Sequence, residues 1–172
     1  MQDVRRGMLV GLVLLTLAVV APLVVRWALS PRGPAVEIEL PSGATRTVPL
    51  SALRRFPTLT RQGEYQNQFG NWRDAGTYSG VRLSDLFAGV DYEAVEVVAE
   101  DGYRLSIERA RVENPDYPIV LAYAKDGVAV PEWEDGLRIA VLPVDGRVSN
   151  DEYSAVSAGG YWVKNVARLI VH

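Results

Sequence analysis

Residues 8–25 form an uninterrupted apolar run, MLVGLVLLTLAVVAPLVV, with no charged side chain among 18 residues. At about 1.5 Å per residue, a helix of this length is close to the hydrocarbon thickness of a bilayer. A motif resembling a signal-peptidase site follows at residues 28–30, but the run is longer than a usual signal-peptide core and Pro31 follows the motif. The sequence therefore predicts an uncleaved transmembrane signal anchor over residues 8–29, after a tail of residues 1–7.

The segments that flank this helix set the expected topology. Arginines lie on both sides of the run, so the positive-inside count is nearly tied. Because only seven residues precede the helix, we predict a cytoplasmic N-terminus and a periplasmic, or otherwise extracytoplasmic, C-terminal domain. Residues 30–34 are rich in Pro and Gly and predict a short linker, and residues 35–172 then form one domain of a single-pass membrane protein.

Charge and composition exclude several classes of function. Four of the 18 Lys and Arg residues and one of the 21 acidic residues precede residue 33, so the domain has 14 bases, 20 acids and a net charge of −6. This charge disfavours nucleic acid as a partner and indicates that membrane association comes from the helix alone. The chain has no cysteine and one histidine, His172, which argues against thiolate metal sites, disulfides, zinc sites and Ser-His-Asp catalysis.

Short alternating apolar segments separated by turn residues predict a domain dominated by strands. Residues 35–48 predict a hairpin, and Ser51 and Ser84 are predicted to cap short helices over residues 51–56 and 84–87. Three Asp-Gly pairs predict tight turns. Further strands are predicted at residues 94–99, 103–107, 119–123, 128–130, 137–142 and 165–171. The expected fold class is α+β, with mixed or antiparallel strands and few short helices.

Five segments carry a family resemblance through their order along the chain. They are GTYSGVRLSDLF (76–87), EDGYRLSI (100–107), VLAYAKDGVAV (120–130), GLRIAVLP (136–143) and GGYWVKNVARLIV (159–171). Together they resemble the molybdopterin-binding oxidoreductase domain, which has the sulfite-oxidase fold. The resemblance implies that fold and, for active members of the family, a molybdenum–pterin cofactor that moves oxygen atoms or electrons.

The sequence departs from the family at the position of the metal ligand. Active relatives bind molybdenum through a cysteine, and the corresponding stretch, residues 63–76, has none. The amides of Gln66 and Asn67 do not offer the chemistry of a soft thiolate. We therefore expect no catalytic or metal-binding residues and no cofactor, although the resemblance keeps molybdopterin as an alternative.

The polar stretch of residues 65–73 predicts a functional loop, because it shows neither helical nor strand periodicity. Asn67, Asn71 and Arg73 offer hydrogen bonds to a polar ligand, and Trp72 offers a stacking face. In the alternative interpretation, Trp72 and Phe69 cover the sheet while the amides cap loop backbone.

A second set of candidates is implied by the resemblance at residues 159–171. Gly160 and Lys164 would contact the pterin phosphate, or Lys164 is an exposed lysine at the end of a strand. Arg138 and Tyr161 are secondary candidates for the same pocket, and are otherwise ordinary strand residues.

Two further polar turns have structural interpretations beside the functional ones. Asp101-Gly102-Tyr103 is interpreted as a turn and not as a site. In the acidic turn at residues 132–135, Trp133 either covers a strand or binds a partner protein.

These features predict a membrane-anchored, molybdopterin-oxidoreductase-like domain that lacks molybdenum catalysis and binds a small molecule or a partner protein. The alternative is a molybdopterin-dependent oxidoreductase or electron-transfer subunit that still binds the pterin. A structural subunit of a membrane complex is a third interpretation.

Overall fold

Alternating apolar residues place one face of each strand in the core. In residues 35–39, Val36 and Ile38 are fully buried, whereas the residues on either side of them face outward. The computed structural model describes residues 33–172, and these contain eleven strands and four short helical segments.

The strands follow one another closely along the chain, with few residues outside regular structure. In chain order they are β1 (Ala35–Glu39), β2 (Thr45–Pro49), β3 (Thr58–Gln66), β4 (Trp72–Arg82), β5 (Ala94–Ala99), β6 (Arg104–Glu108), β7 (Ile119–Lys125), β8 (Val128–Ala129), β9 (Arg138–Val141), β10 (Arg147–Val148) and β11 (Val166–Val171).

The helical segments are each about one turn long. They are α1 (Leu50–Leu53), α2 (Leu83–Leu86), α3 (Arg109–Val112) and a 3₁₀ helix (Ala158–Tyr161). The predicted caps are wrong, because Pro49 instead of Ser51 occupies the N-cap of α1, and Arg82 instead of Ser84 occupies that of α2. Both helices follow a strand directly, so the last, extended residue of the strand takes the cap position without a side-chain hydrogen bond.

Two mixed sheets form the domain. The first has the order β2-β1-β11-β5-β6, and its β1 and β11 are parallel while its other pairs are antiparallel. The second has the order β10-β3-β4-β7-β8, and β9 also pairs with β7. In this sheet only β10 and β3 are parallel.

One hydrophobic cluster contains buried residues of both sheets. Strand β9 and all but the last residue of β7 are buried on both faces, and apart from Arg138 at the start of β9 these buried residues are apolar or aromatic. The predicted α+β class, with mixed sheets and few short helices, is confirmed and is consistent with a sulfite-oxidase-like fold.

The predictions for the N-terminal part lie outside the described residues. They concern the tail at residues 1–7, the transmembrane helix at residues 8–29 and the first three residues of the linker. Within residues 33–172, no helix is both long enough and apolar enough to span a bilayer.

Candidate functional site

A chain of ion pairs runs through the middle of the domain. The Arg138 side chain is fully buried, and its two terminal nitrogens donate to carboxylate oxygens of Asp74 and Asp135. Lys125 Nζ lies 3.1 Å from the other oxygen of Asp74, and Lys164 Nζ lies 2.8 Å from the other oxygen of Asp135. Five charged residues therefore alternate in sign, from Lys125 at one end to Lys164 at the other.

The fold brings these residues together from distant parts of the sequence. Asp74 lies on β4 and Lys125 ends β7, which is the antiparallel neighbour of β4. Asp135 and Arg138 are three residues apart, and Gly136 between them has φ +62°, a conformation that favours glycine. Asp74 itself has φ 62°, a strained backbone for a residue other than glycine.

Aromatic rings enclose the guanidinium of Arg138. Its central carbon lies 5.8 Å from the ring centre of Tyr78 and 5.4 Å from that of Trp162. The two rings meet edge to face at 5.2 Å, and Tyr65 packs on the other side of Trp162 at 5.1 Å. Cation–π contacts of this kind strengthen where water is excluded.

The protonation of the cluster follows from burial and pairing. Burial by itself would raise the pKa of Asp74, but the hydrogen bonds and positive charges of Arg138 and Lys125 lower it below the ordinary value. Burial would lower the pKa of Arg138, but Asp74 and the other nearby negative charges raise it. Burial raises the pKa of Tyr78, whose hydroxyl donates to the backbone oxygen of Asp74 at 2.6 Å. At neutral pH Asp74 and Arg138 are therefore charged, and Tyr78 is neutral.

A cavity of about 360 Å³ opens at the Lys164 end of the cluster. It lies between the β5–β6 turn and the segment that includes the 3₁₀ helix and the start of β11. Its polar and aromatic lining comes from Asp101, Tyr103, Gly160, Trp162, Lys164 and Asn165.

The backbone around the cavity is held by specific contacts. Asp101 Oδ1 accepts from the Tyr103 amide at 2.9 Å, and Gly102 has φ +88°, which confirms the predicted Asp-Gly turn. The Tyr103 hydroxyl donates to the Gly160 oxygen at 3.4 Å. Asn165, between Lys164 and β11, has φ 50°, in the left-handed region that residues other than glycine seldom adopt.

The structure brings two of the five predicted site residues together. Gly160 and Lys164 line the same cavity, and the Lys164 side chain is about half exposed. Asn67, Asn71 and Arg73 lie instead at the β3–β4 hairpin.

The polar stretch of residues 65–73 is the tip of that hairpin and not a separate loop. Asn67 Oδ1 accepts from the backbone N–H groups of Phe69 and Asn71, both at 3.0 Å, so the side chain of Asn67 stabilises the turn. Arg73 is exposed on β4 opposite Tyr65, and Phe69 projects into solvent instead of covering the sheet.

The remaining candidates also have defined positions. Trp133 is buried and packs 6.0 Å from Tyr78, which supports its structural interpretation. Tyr161 packs edge to face against Tyr153 at 4.7 Å, and the Arg111 guanidinium lies 5.2 Å from the Tyr161 ring. Tyr103, interpreted from sequence as only part of a turn, is half exposed and lines the cavity.

Arg138, a secondary candidate from sequence, is the centre of the cluster. A charged residue within the apolar strand LRIAVL was the signal for its role. Its partner Asp74, 64 residues earlier, left no comparable signal in the sequence.

The residues present do not fit a molybdenum centre. The chain has no cysteine to supply a thiolate. Among residues 33–172, no group of three or more His, Cys, Asp or Glu side chains is placed to hold a metal ion. Asp135, the carboxylate that pairs with Lys164, is already engaged by two cations.

The chain was compared with known proteins. No protein-family model and no curated protein matches it. Among solved structures, the crystal structure of the sulfane dehydrogenase SoxCD from Paracoccus pantotrophus is similar to it, with a TM-score of 0.57 and 18% identity. The match covers 81% of this chain.

The two proteins share a fold. At this level of identity the relationship is distant and concerns the fold alone. The chain matches only 38% of the length of the sulfane dehydrogenase chain, so that protein has additional parts.

Proposed function

We propose that this protein is a membrane-anchored, extracytoplasmic binding module that carries no molybdenum chemistry. Its site is the cavity at Gly160 and Lys164. The observation that supports this proposal is the position of Lys164, which lines an open cavity while Asp135 links its ammonium to the buried Arg138. A cavity that combines charged, aromatic and backbone groups on a rigid scaffold is typical of small-molecule sites.

A variant that fills the cavity tests its role in binding. A Cβ added at Gly160 meets no atom within 4 Å, and the backbone of Gly160 is not in the left-handed region, so a side chain at this position begins in open space and without backbone strain. We expect the full chain in detergent to bind members of a fragment library. The Gly160→Leu variant is expected to bind none of these fragments, although its Tm stays the same as that of the wild type. Gln68→Leu, on the exposed hairpin tip, is the matched control.

The predicted contacts on the β3–β4 hairpin are tested in the same screen. Binding that survives Gly160→Leu but is lost in Arg73→Ala would contradict the cavity as the site and favour the hairpin. A library without any binder, together with a partner protein that co-purifies in detergent, would favour a structural subunit of a membrane complex.

The alternative function is a molybdopterin-dependent oxidoreductase or electron-transfer subunit. The shared fold with a dehydrogenase and the sequence resemblance favour it, whereas the missing thiolate argues against it. Elemental analysis and native mass spectrometry of protein from a host that makes the pterin cofactor decide between the two. We expect no molybdenum and an unmodified mass, and stoichiometric molybdenum would restore the oxidoreductase.

The membrane anchor is supported by the uncharged run of residues 8–25. Reporter fusions at His172 test the topology. A reporter that is active only outside the cytoplasm is expected to be active, and activity of a cytoplasmic reporter would refute the proposed localisation.

A further inference from the structure

Strand β6 (Arg104–Glu108) is an open edge of the first sheet. It pairs with β5 on one side, and within residues 33–172 no strand pairs with its other side. Of the other strands at the ends of the two sheets, β8 and β10 have only two residues each, β9 is buried, and β2 ends at Pro49, which has no N–H group. Short strands and prolines keep edges from pairing with another chain, and β6 has neither protection.

The backbone groups of every second residue of β6 point toward this open side. The Arg109 N–H donates to the Glu93 oxygen at 2.8 Å, and the Ala99 N–H donates to the Tyr103 oxygen at 2.9 Å, so both pairs are hydrogen-bonded pairs of the β5–β6 ladder. Hydrogen-bonded and non-hydrogen-bonded pairs alternate along an antiparallel ladder. The even-numbered residues of β6 therefore direct their N–H and C=O groups away from β5.

The side chains of these even-numbered residues are accessible to a partner. Arg104, Ser106 and Glu108 are all exposed, on the face of the sheet opposite to the buried Ile107. One terminal nitrogen of Arg104 donates to Glu96 on β5 at 3.0 Å, and the Arg104 side chain is still 59% exposed. The open edge therefore carries a positive charge at one end, a negative charge at the other end and a small neutral residue between them.

This charge pattern is complementary to itself in an antiparallel arrangement. When a second copy pairs about a two-fold axis at Ser106, Arg104 of each copy lies opposite Glu108 of the other. Each outward-facing residue then exchanges both backbone hydrogen bonds with the residue opposite it. Opposite charges at opposed positions stabilise a sheet. A copy that slides until Arg104 meets Arg104, or Glu108 meets Glu108, would oppose like charges, so the charges also select the register.

We propose that two copies of this chain associate through β6, so that their first sheets continue into each other across a two-fold axis at Ser106. The partner is a second copy because one strand carries both halves of the charge pattern that recognises it. A single strand of five residues makes a small interface, which belongs to the weak associations that bury less than about 1,200 Å². Attachment of both copies to one membrane, as proposed above, raises their effective concentration.

A single cysteine at position 106 reports whether the two strands meet in this register. The chain has no cysteine of its own, so Ser106→Cys introduces a unique thiol. In the proposed register the two Cα atoms lie about 5.5 Å apart, which suits a disulfide. Thr47→Cys is the matched control, because Thr47 is exposed on β2 at the opposite edge of the same sheet. With the full chain in detergent and a mild oxidant, we expect Ser106→Cys to form the covalent dimer at least about 10-fold faster than Thr47→Cys.

Charge reversals on the Ser106→Cys background test the complementarity. Arg104→Glu gives an edge with two acidic ends, and Glu108→Arg gives an edge with two basic ends. Each variant alone opposes like charges twice in the dimer, and each is expected to cross-link about 10-fold more slowly. A mixture of the two restores opposite charges, and its mixed dimers, identified by mass, are expected to form within about 2-fold of the rate of Ser106→Cys.

Two controls exclude effects within one copy. Rates are divided by the rate at which each thiol reacts with a small thiol reagent, because nearby charges change the reactivity of a cysteine. Arg104→Glu also removes the contact with Glu96. Recovery in the mixture cannot come from that contact, since the variant chain still lacks it, and therefore reports the interface.

The outcomes separate this interface from the proposed binding function. Equal rates for Ser106→Cys and Thr47→Cys would overturn the interface, because they would show that only collisions or the detergent micelle bring the copies together. Cross-linking that neither charge reversal slows, or that the mixture does not recover, would overturn the register. Because neither Arg104 nor Glu108 lines the cavity at Gly160 and Lys164, each of these results leaves the binding function standing.

Discussion

Removing the charge of Arg138 is the sharpest test of how the domain centre is held together. Arg138→Met keeps much of the apolar stem but leaves Asp74 and Asp135 without the guanidinium between them. Both carboxylates are about one-fifth exposed, so water only partly replaces the lost partner. Each of them keeps one lysine.

The expected loss of stability follows from this geometry. Breaking a buried ion pair by removing one partner costs about 3–5 kcal/mol. Because each carboxylate keeps one lysine, we expect Arg138→Met to lose about 3 kcal/mol, the lower end of this range. This loss corresponds to a fall in Tm of roughly 10 °C for a domain of this size. The triple variant Asp74→Asn/Arg138→Met/Asp135→Asn removes the stranded charges, and we expect it to recover more than half of that loss.

Thermal unfolding followed by circular dichroism, on the full chain in detergent at pH 7, measures both effects. If Arg138→Met lowers the Tm by less than roughly 3 °C, the view that this residue pairs two poorly solvated carboxylates is refuted. A triple variant less stable than Arg138→Met would show that the arginine stabilises the core by packing and not by charge.

Three further predictions concern other parts of the domain. Gly63→Ala inserts a Cβ within 2.6 Å of a core side chain and should cost about 1–3 kcal/mol, measured by chemical denaturation, whereas Gly160→Ala, which meets nothing, should be neutral. Asn67→Ala removes both hydrogen bonds of the hairpin tip and should cost about 1 kcal/mol and speed amide exchange there, with Gln68→Ala as control. Asp74→Asn should destabilise the domain at neutral pH, but the difference from wild type should narrow as the pH falls below 3.8. Folding lowers the pKa of the Asp74 carboxyl below 3.8, its value in the unfolded chain. Its contribution to the free energy of unfolding is therefore complete above pH 3.8 and is lost as the pH falls through the lower pKa of the folded state.

Much of the sheet structure was readable from the sequence. Segments with strict alternation, such as AVEVVA, became strands at the predicted residues, and the Asp-Gly pairs supplied their turns. Local patterns succeed for such strands because each of them faces the core on one side, which fixes the period of its apolar residues.

The β3–β4 hairpin was missed for the opposite reason. In residues 65–73 the strand ends are only partly buried and amide-rich, so their sequence carries no period that marks a strand. Backbone pairing between β3 and β4 holds the hairpin together, and further pairing of β3 with β10 and of β4 with β7 places it in the sheet. Such long-range pairing is not encoded in a local window.

The ion-pair chain shows the same limit for the candidate site. The family resemblance pointed to Gly160 and Lys164, whereas Arg138 was only a secondary candidate, because one charge in a strand is more often exposed than buried. Its partners come from β4, from β7 and from the turn before β9, and only the assembled sheet brings them together. A charged residue inside an apolar segment therefore deserves more weight than its neighbours suggest.

The position of β11 has a consequence for how this domain is made in the cell. Although β11 is the last strand along the chain, it lies in the middle of its sheet, between β1 and β5. While the ribosome is still synthesising the protein, β1 and β5 have no strand between them, and their long-range pairing partner is missing. The first sheet is completed only after Val171 has left the ribosomal tunnel, so until then β1 and β5, each paired only with its hairpin partner, present one open edge each.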